Sequence, residues 1–198
     1  STAKKLGLAL FVVSMACLAL IVALAVELTS HELVDVNTAR CEFIPTDALN
    51  TKNGVSGHLT FNRDSEGLTI SGSVKIEGTN TQTLRGYAIH EFASQHNDTL
   101  ADIMKSVGPV YNPGNDPHGC VTSNRRRAGD LGNLKFDANN EVNIKPYTNR
   151  MLQLAGAWSV LGRSIVIYEK EDECKKGDAA PTSPAFATCN IVVAMPKP

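Results

Sequence analysis

The sequence predicts an all-β domain of eight strands, folded as a Greek-key sandwich or flattened barrel, with one apolar helix ahead of it. Three observations carry this. Runs of period two recur along the chain, turn-forming residues punctuate them, and two long stretches without strand character interrupt the series. In front of them all lies an unbroken run of 21 apolar or small residues, Leu6 to Val26.

The apolar run comes first in the chain. About 20 such residues in a helix cross a hydrocarbon core. The run is longer than the roughly 7–15 residues of a signal-peptide core, so a retained anchor is expected rather than cleavage after the small-x-small triplet Ala23-Leu24-Ala25. Lys4 and Lys5 precede the run while Glu27, Glu32 and Asp35 follow it, which places the N-terminus inside and the rest across the membrane. The expected organisation is an anchor over residues 1–28, a polar linker over 29–38 and one domain over 39–198.

Within the domain, strands are predicted at Arg40–Ile44, Ser56–Asn62, Thr69–Glu77, Gly86–Phe92, Asn133–Asp137, Glu141–Lys145, Ser164–Tyr168 and Cys189–Ala194. Asn53-Gly54, Ser65-Glu66-Gly67, Ala138-Asn139-Asn140 and Leu161-Gly162 mark the turns between them. Ala93 to Leu131 and Glu171 to Thr188 read as long loops, with one short helix over Thr99 to Lys105. Loops of that length in a compact domain are usually functional.

Beyond Lys4 and Lys5, 17 basic residues face 20 acidic ones, which gives no basis for nucleic-acid binding. With Cys17 in the apolar run, Cys41, Cys120, Cys174 and Cys189 remain, an even number that suits an oxidising compartment and permits three pairings. Asn97-Asp98-Thr99 is a glycosylation sequon, in keeping with an extracytoplasmic loop.

Four segments then occur in order: Gly86-Tyr87-Ala88-Ile89-His90-Glu91-Phe92, Gly108-Pro109-Val110-Tyr111-Asn112-Pro113, Gly129-Asp130-Leu131-Gly132-Asn133, and Gly162-Arg163-Ser164-Ile165-Val166-Ile167-Tyr168-Glu169-Lys170. Over about residues 39–195 they resemble the signature segments of copper, zinc superoxide dismutase. The resemblance implies an immunoglobulin-like, eight-stranded Greek-key barrel with a metal loop and an electrostatic loop. It also implies copper on four histidines, one shared with zinc, and zinc completed by two further histidines and an aspartate.

Carried over by position, that ligand set is incomplete. Ala88 and His90 stand where the family has His-x-His, Val110 takes the bridging place, and Tyr168 takes the last copper place. Among the zinc positions His118 and Asp130 are kept and Arg127 replaces a histidine; Phe186 falls near the family's loop arginine. The expectation drawn from this count is a non-enzyme with no cofactor, leaving weak zinc binding at His118 and Asp130 as the alternative. Arg127 is expected to turn into the zinc pocket and form a bidentate pair with Asp130. His90 is expected as a buried strand histidine bonded to backbone or carboxylate, and Ala88, Val110 and Phe186 as apolar fill. His31, His58 and His96 match nothing and are expected to face solvent.

The family's disulfide would join Cys189 to a place near Met104, so Cys120 or Cys174 is the expected replacement partner, with Cys41 simply buried. Trp158 lies near where family members dimerise, or else belongs to the core. The expected role is a structural or interaction subunit of a larger membrane protein assembly, with a homodimer as one arrangement. Metal handling by the residual ligands, or an active dismutase, are the alternatives.

Overall fold

The computed structural model describes residue 17 and residues 36–43, 54–78, 83–95, 99–174 and 183–194. The chain divides into two units, Ser1–Asp35 and Val36–Pro198. The anchor expected at residues 6–26 lies outside the described residues except Cys17, which is a free thiol. Among the described residues no helix is long and apolar enough to cross a membrane. Asn97, His31 and His96 also lie outside them.

The second unit is built from β1 (Thr38–Phe43), β2 (Val55–Arg63), β3 (Leu68–Ile76), β4 (Leu84–His90), α1 (Leu100–Ser106), β5 (Asp130–Lys135), β6 (Glu141–Asn149), β7 (Ser164–Tyr168) and β8 (Ala185–Val193). All pairings are antiparallel, in the order β5-β4-β7-β8-β1-β2-β3-β6. The β3–β4 and β6–β7 connections cross between distant strands, as in a Greek key, and the edge strands β5 and β6 touch, so the sheet nearly closes into a barrel.

Alternation places one face of each strand inside. Ala39, Cys41 and Phe43 of β1, Leu59 and Phe61 of β2, and Leu68, Ile70, Val74 and Ile76 of β3 fill the barrel. β7 is buried at all five positions. Ile165 and Ile167 face the barrel interior, while Val166 and Tyr168 join Ala88, Ile103, Val107, Val110 and Ala185 in a second apolar cluster. That cluster includes Ile103 of α1 and, at its margin, Met104. β4 and β7 are therefore covered on both faces, and the outer one carries the candidate site.

Strand ends differ from the sequence expectation for identifiable reasons. β4 stops at His90 because the Glu91 carbonyl accepts from Arg163 Nη1 at 2.6 Å and the Phe92 carbonyl from Ser164 Oγ at 2.7 Å. β6 runs to Asn149 through Pro146, because the β3–β6 register shifts between Ile70 and Gly72 and leaves the proline in a bulge. β8 starts at Ala185, so Phe186 belongs to a strand and not to the preceding loop. Trp158 is partly buried against the main core, and His58 is half-buried on β2.

The disulfides correct the expected pairing. Cys189 bonds to Cys41, not to Cys120 or Cys174, and those two bond to each other. β1 and β8 are neighbours with Cys41 opposite Ile191, so Cys189, two residues away on the same face, sits 5.4 Å from Cys41 between Cα atoms.

Candidate functional site

His90 ends β4 on the same face as Ala88, and both are buried. Its Nδ1 lies 2.7 Å from the Gly108 carbonyl, which can only accept, so Nδ1 carries the proton. Nε2 is then an acceptor, and Tyr168 Oη donates to it at 2.6 Å. Gly108 adopts φ 70°, a left-handed conformation that favours glycine. Val110 forms a β-bridge to His90 and is buried beside Ala88.

Burial holds the His90 imidazole below its ordinary value of 6.5; the Gly108 bond opposes this and the Arg127 charge adds to it. Burial likewise raises Tyr168, with Asp130 and Asp172 adding and Arg127 opposing, so the phenol keeps its proton. Because folding favours the neutral imidazole, its contribution is complete above the unfolded value near 6.5 and declines as pH falls through the folded value. The urea midpoint is expected to drop between about pH 7.5 and about pH 5.5, and His90→Gln to flatten that dependence. An unchanged slope in the variant would assign the acid sensitivity to other groups.

Asp130 opens β5, and its buried carboxylate gathers the neighbouring loop. Oδ1 lies 3.0 Å from His118 Nδ1 and 3.2 Å from Arg127 Nε; Oδ2 accepts from the Arg127 amide at 3.1 Å and the Gly119 amide at 3.2 Å. Gly129 permits this, since a Cβ there would collide with the Ile89 carbonyl. Arg127 points inward as expected, but the pair is not bidentate: Nε alone reaches the carboxylate, and Nη2 has no partner among the described residues.

Asp172, after β7, has no motif of its own and was not expected at the site. Its Oδ1 lies 2.9 Å from His118 Nε2, and its backbone is held by both ends of the Asn133 amide at 2.8 and 2.9 Å. The Cys120–Cys174 bond closes beside this contact. Phe186 is buried, and the Arg85 guanidinium stacks 3.7 Å above its ring.

At the copper positions the residues present do not fit the ion. They offer one imidazole with both nitrogens engaged and one protonated phenol, and Ala88 and Val110 donate nothing. At the zinc positions Asp130 already receives Arg127, His118 and two amides. Among the described residues no group of three or more His, Cys, Asp or Glu is placed to hold a metal ion.

The family model for copper/zinc superoxide dismutase matches residues 55–192. A superoxide dismutase [Cu-Zn] of Saccharomyces cerevisiae is 38% identical over 125 residues, 63% of this chain and 77% of the yeast protein. The chain belongs to the copper/zinc superoxide dismutase family. An extracellular superoxide dismutase [Cu-Zn] of Brugia pahangi is 35% identical over 130 residues, covering 65% of this chain and 61% of that protein. The solved structure of the clock protein EA4 superposes with a TM-score of 0.64 at 21% identity, over 83% of this chain and 99% of that one, which speaks to the fold alone.

Membership of the superoxide dismutase family corrects two expectations. The reading of a non-enzyme without a cofactor is overturned, because the relatives are named as copper-zinc superoxide dismutases, an enzyme family whose name carries both metals. That reading judged activity from a handful of positions.

Within this superoxide dismutase barrel, Tyr168 makes the closest polar contact at the copper positions. Tyr168→Phe strands the buried His90 Nε2 without a donor and is expected to lower stability by about 1–3 kcal/mol. The check is a urea titration followed by Trp158 fluorescence; no change would mean that the phenol contributes only its ring.

Proposed function

We propose that this chain is a superoxide dismutase-family barrel held at a membrane by residues 6–26 and working by contact with other protein subunits of a membrane assembly. The observation that carries the reading is the apolar stretch Leu6 to Val26, which as a helix is long enough to cross a bilayer. The 21-residue apolar run supports the tether, and the lysines before it support an inside N-terminus. Two disulfides suit an oxidising compartment, and the Brugia pahangi relative is named extracellular, both in keeping with a barrel on the extracytoplasmic, lumenal or intermembrane side. Membrane subunits are the partners of this reading, with a second copy of the chain as one of them.

The test extracts the full chain from membranes in mild detergent and measures its assembly mass, metal content and dismutase rate. The reading expects membrane association that is lost on deleting residues 6–26, and a protein mass, with bound detergent subtracted, well above the 21.2 kDa of one chain. A chain that stays with the membrane after residues 6–26 are deleted, or that runs as a single copy, would overturn it. A second reading, zinc handling, is favoured by His118 lying between the carboxylates of Asp130 and Asp172. It requires Arg127 to leave Asp130, and it predicts stoichiometric zinc that His118→Ala abolishes.

A further inference from the structure

The two disulfides occupy contrasting surroundings. Cys41 and Cys189 are 0% and 4% exposed inside the barrel, whereas Cys120 and Cys174 are only half-buried and join two loops outside it. The outer bond spans 54 residues of sequence, with the cysteine Cα atoms 4.9 Å apart. Each of its cysteines lies two residues beyond a partner in the His118–Asp172 contact, so the covalent bond and the polar contact tie the same two stretches of chain.

We propose that Cys120–Cys174 is a redox-sensitive latch that holds the segment after β7 against the loop before β5, closing it over His118, Asp130 and Arg127. Three features make it a latch and not a further core crosslink. Both cysteines are half-buried and belong to neither apolar cluster, unlike Cys41 and Cys189 in the main core. Cys174 sits at φ 56°, a left-handed conformation uncommon for a residue with a side chain. The amides nearest the bond also report on it: the Cys174 amide donates to Asp172 Oδ1 at 2.9 Å and the Gly119 amide to Asp130 Oδ2 at 3.2 Å.

The opening step needs a dithiol. Its thiolate attacks one cysteine sulfur, the other leaves as a thiolate and takes up a proton, and the second thiol of the reagent resolves the mixed disulfide. Two electrons pass to the protein, which ends with two thiols while the reagent ends as a cyclic disulfide. Once open, the segment keeps its Asn133 and His118 contacts, but these no longer act beside a covalent tie and open more often.

The experiment titrates the full chain in mild detergent with dithiothreitol, alkylates the thiols, and reads the labelled cysteines and amide exchange by mass spectrometry. The expected result is labelling of Cys120 and Cys174, together with the free Cys17, while Cys41 and Cys189 remain bonded. Exchange at Gly119, Asp172 and Cys174 should rise by about tenfold or more with Ile89 and Ile165 unchanged. A Cys120→Ser/Cys174→Ser chain should exchange like the reduced protein without any reductant. The proposal is overturned if all four cysteines label together, or if the loop amides keep their protection after Cys120 and Cys174 have reacted. Should the double variant fail to fold, the titration of the unaltered chain decides by itself.

Discussion

Asp130→Ala is expected to destabilise the barrel by about 3–5 kcal/mol, the cost of breaking a buried ion pair by removing one partner. The carboxylate accepts from the Arg127 side chain and from two backbone amides, and it faces His118 Nδ1 at 3.0 Å. Removing it leaves the Arg127 guanidinium, already carrying one unpartnered Nη2, buried with no counter-charge on that side. The two amides also lose their acceptor in a place shielded from water. Urea titration of the full chain in mild detergent, read by the single Trp158, measures the loss. A change below about 1 kcal/mol would mean that the loop relaxes to admit water and that the cluster does not hold it.

Removing the inner disulfide is the second large effect. Cys41→Ala/Cys189→Ala opens a bond that closes 148 residues of sequence, for which the chain-entropy model gives about 5 kcal/mol at most. Both sulfurs lie in the main core between β1 and β8, so packing contacts are lost as well. A loss of about 3–5 kcal/mol is expected, seen as a lower urea midpoint with a steeper slope, because the chain without the crosslink unfolds to a less compact state. A change below about 1 kcal/mol would show that the bond adds little to what the packing of β1 against β8 already supplies.

How legible the fold was in the sequence depended on whether a signal is local. The existence of all eight strands could be read because alternation is a property of neighbouring residues; Ser164–Tyr168 was predicted with the same ends that the structure shows. Other ends were set elsewhere in the chain. β4 stops where Arg163 and Ser164, more than seventy positions on, take the two carbonyls that follow it. β6 continues past Pro146 only because β3 opposite it accommodates a bulge.

The site divides in the same way. Which residue types stand at positions 88, 90, 110, 118, 127, 130 and 168 follows from motif order, and Arg127 turning toward Asp130 follows from opposite charges three residues apart. Asp172 could not be read so. It stands among other acidic residues, and nothing nearby separates it from Glu171 or Glu173. Only the return of the chain after β7 sets its carboxylate 2.9 Å from His118.

The cysteines mark the boundary most sharply. Four of them beyond the apolar run imply an oxidising side and leave three pairings open, because spacing along a chain carries no distance in space. The pairing follows from strand order: β8 lies beside β1, so Cys189 meets Cys41, and the two loops that cross outside the barrel leave Cys120 and Cys174 to meet each other. Strand period and residue identity are written in the chain itself. Which distant groups share a dielectric, a hydrogen bond or a sulfur–sulfur bond is decided when the barrel closes.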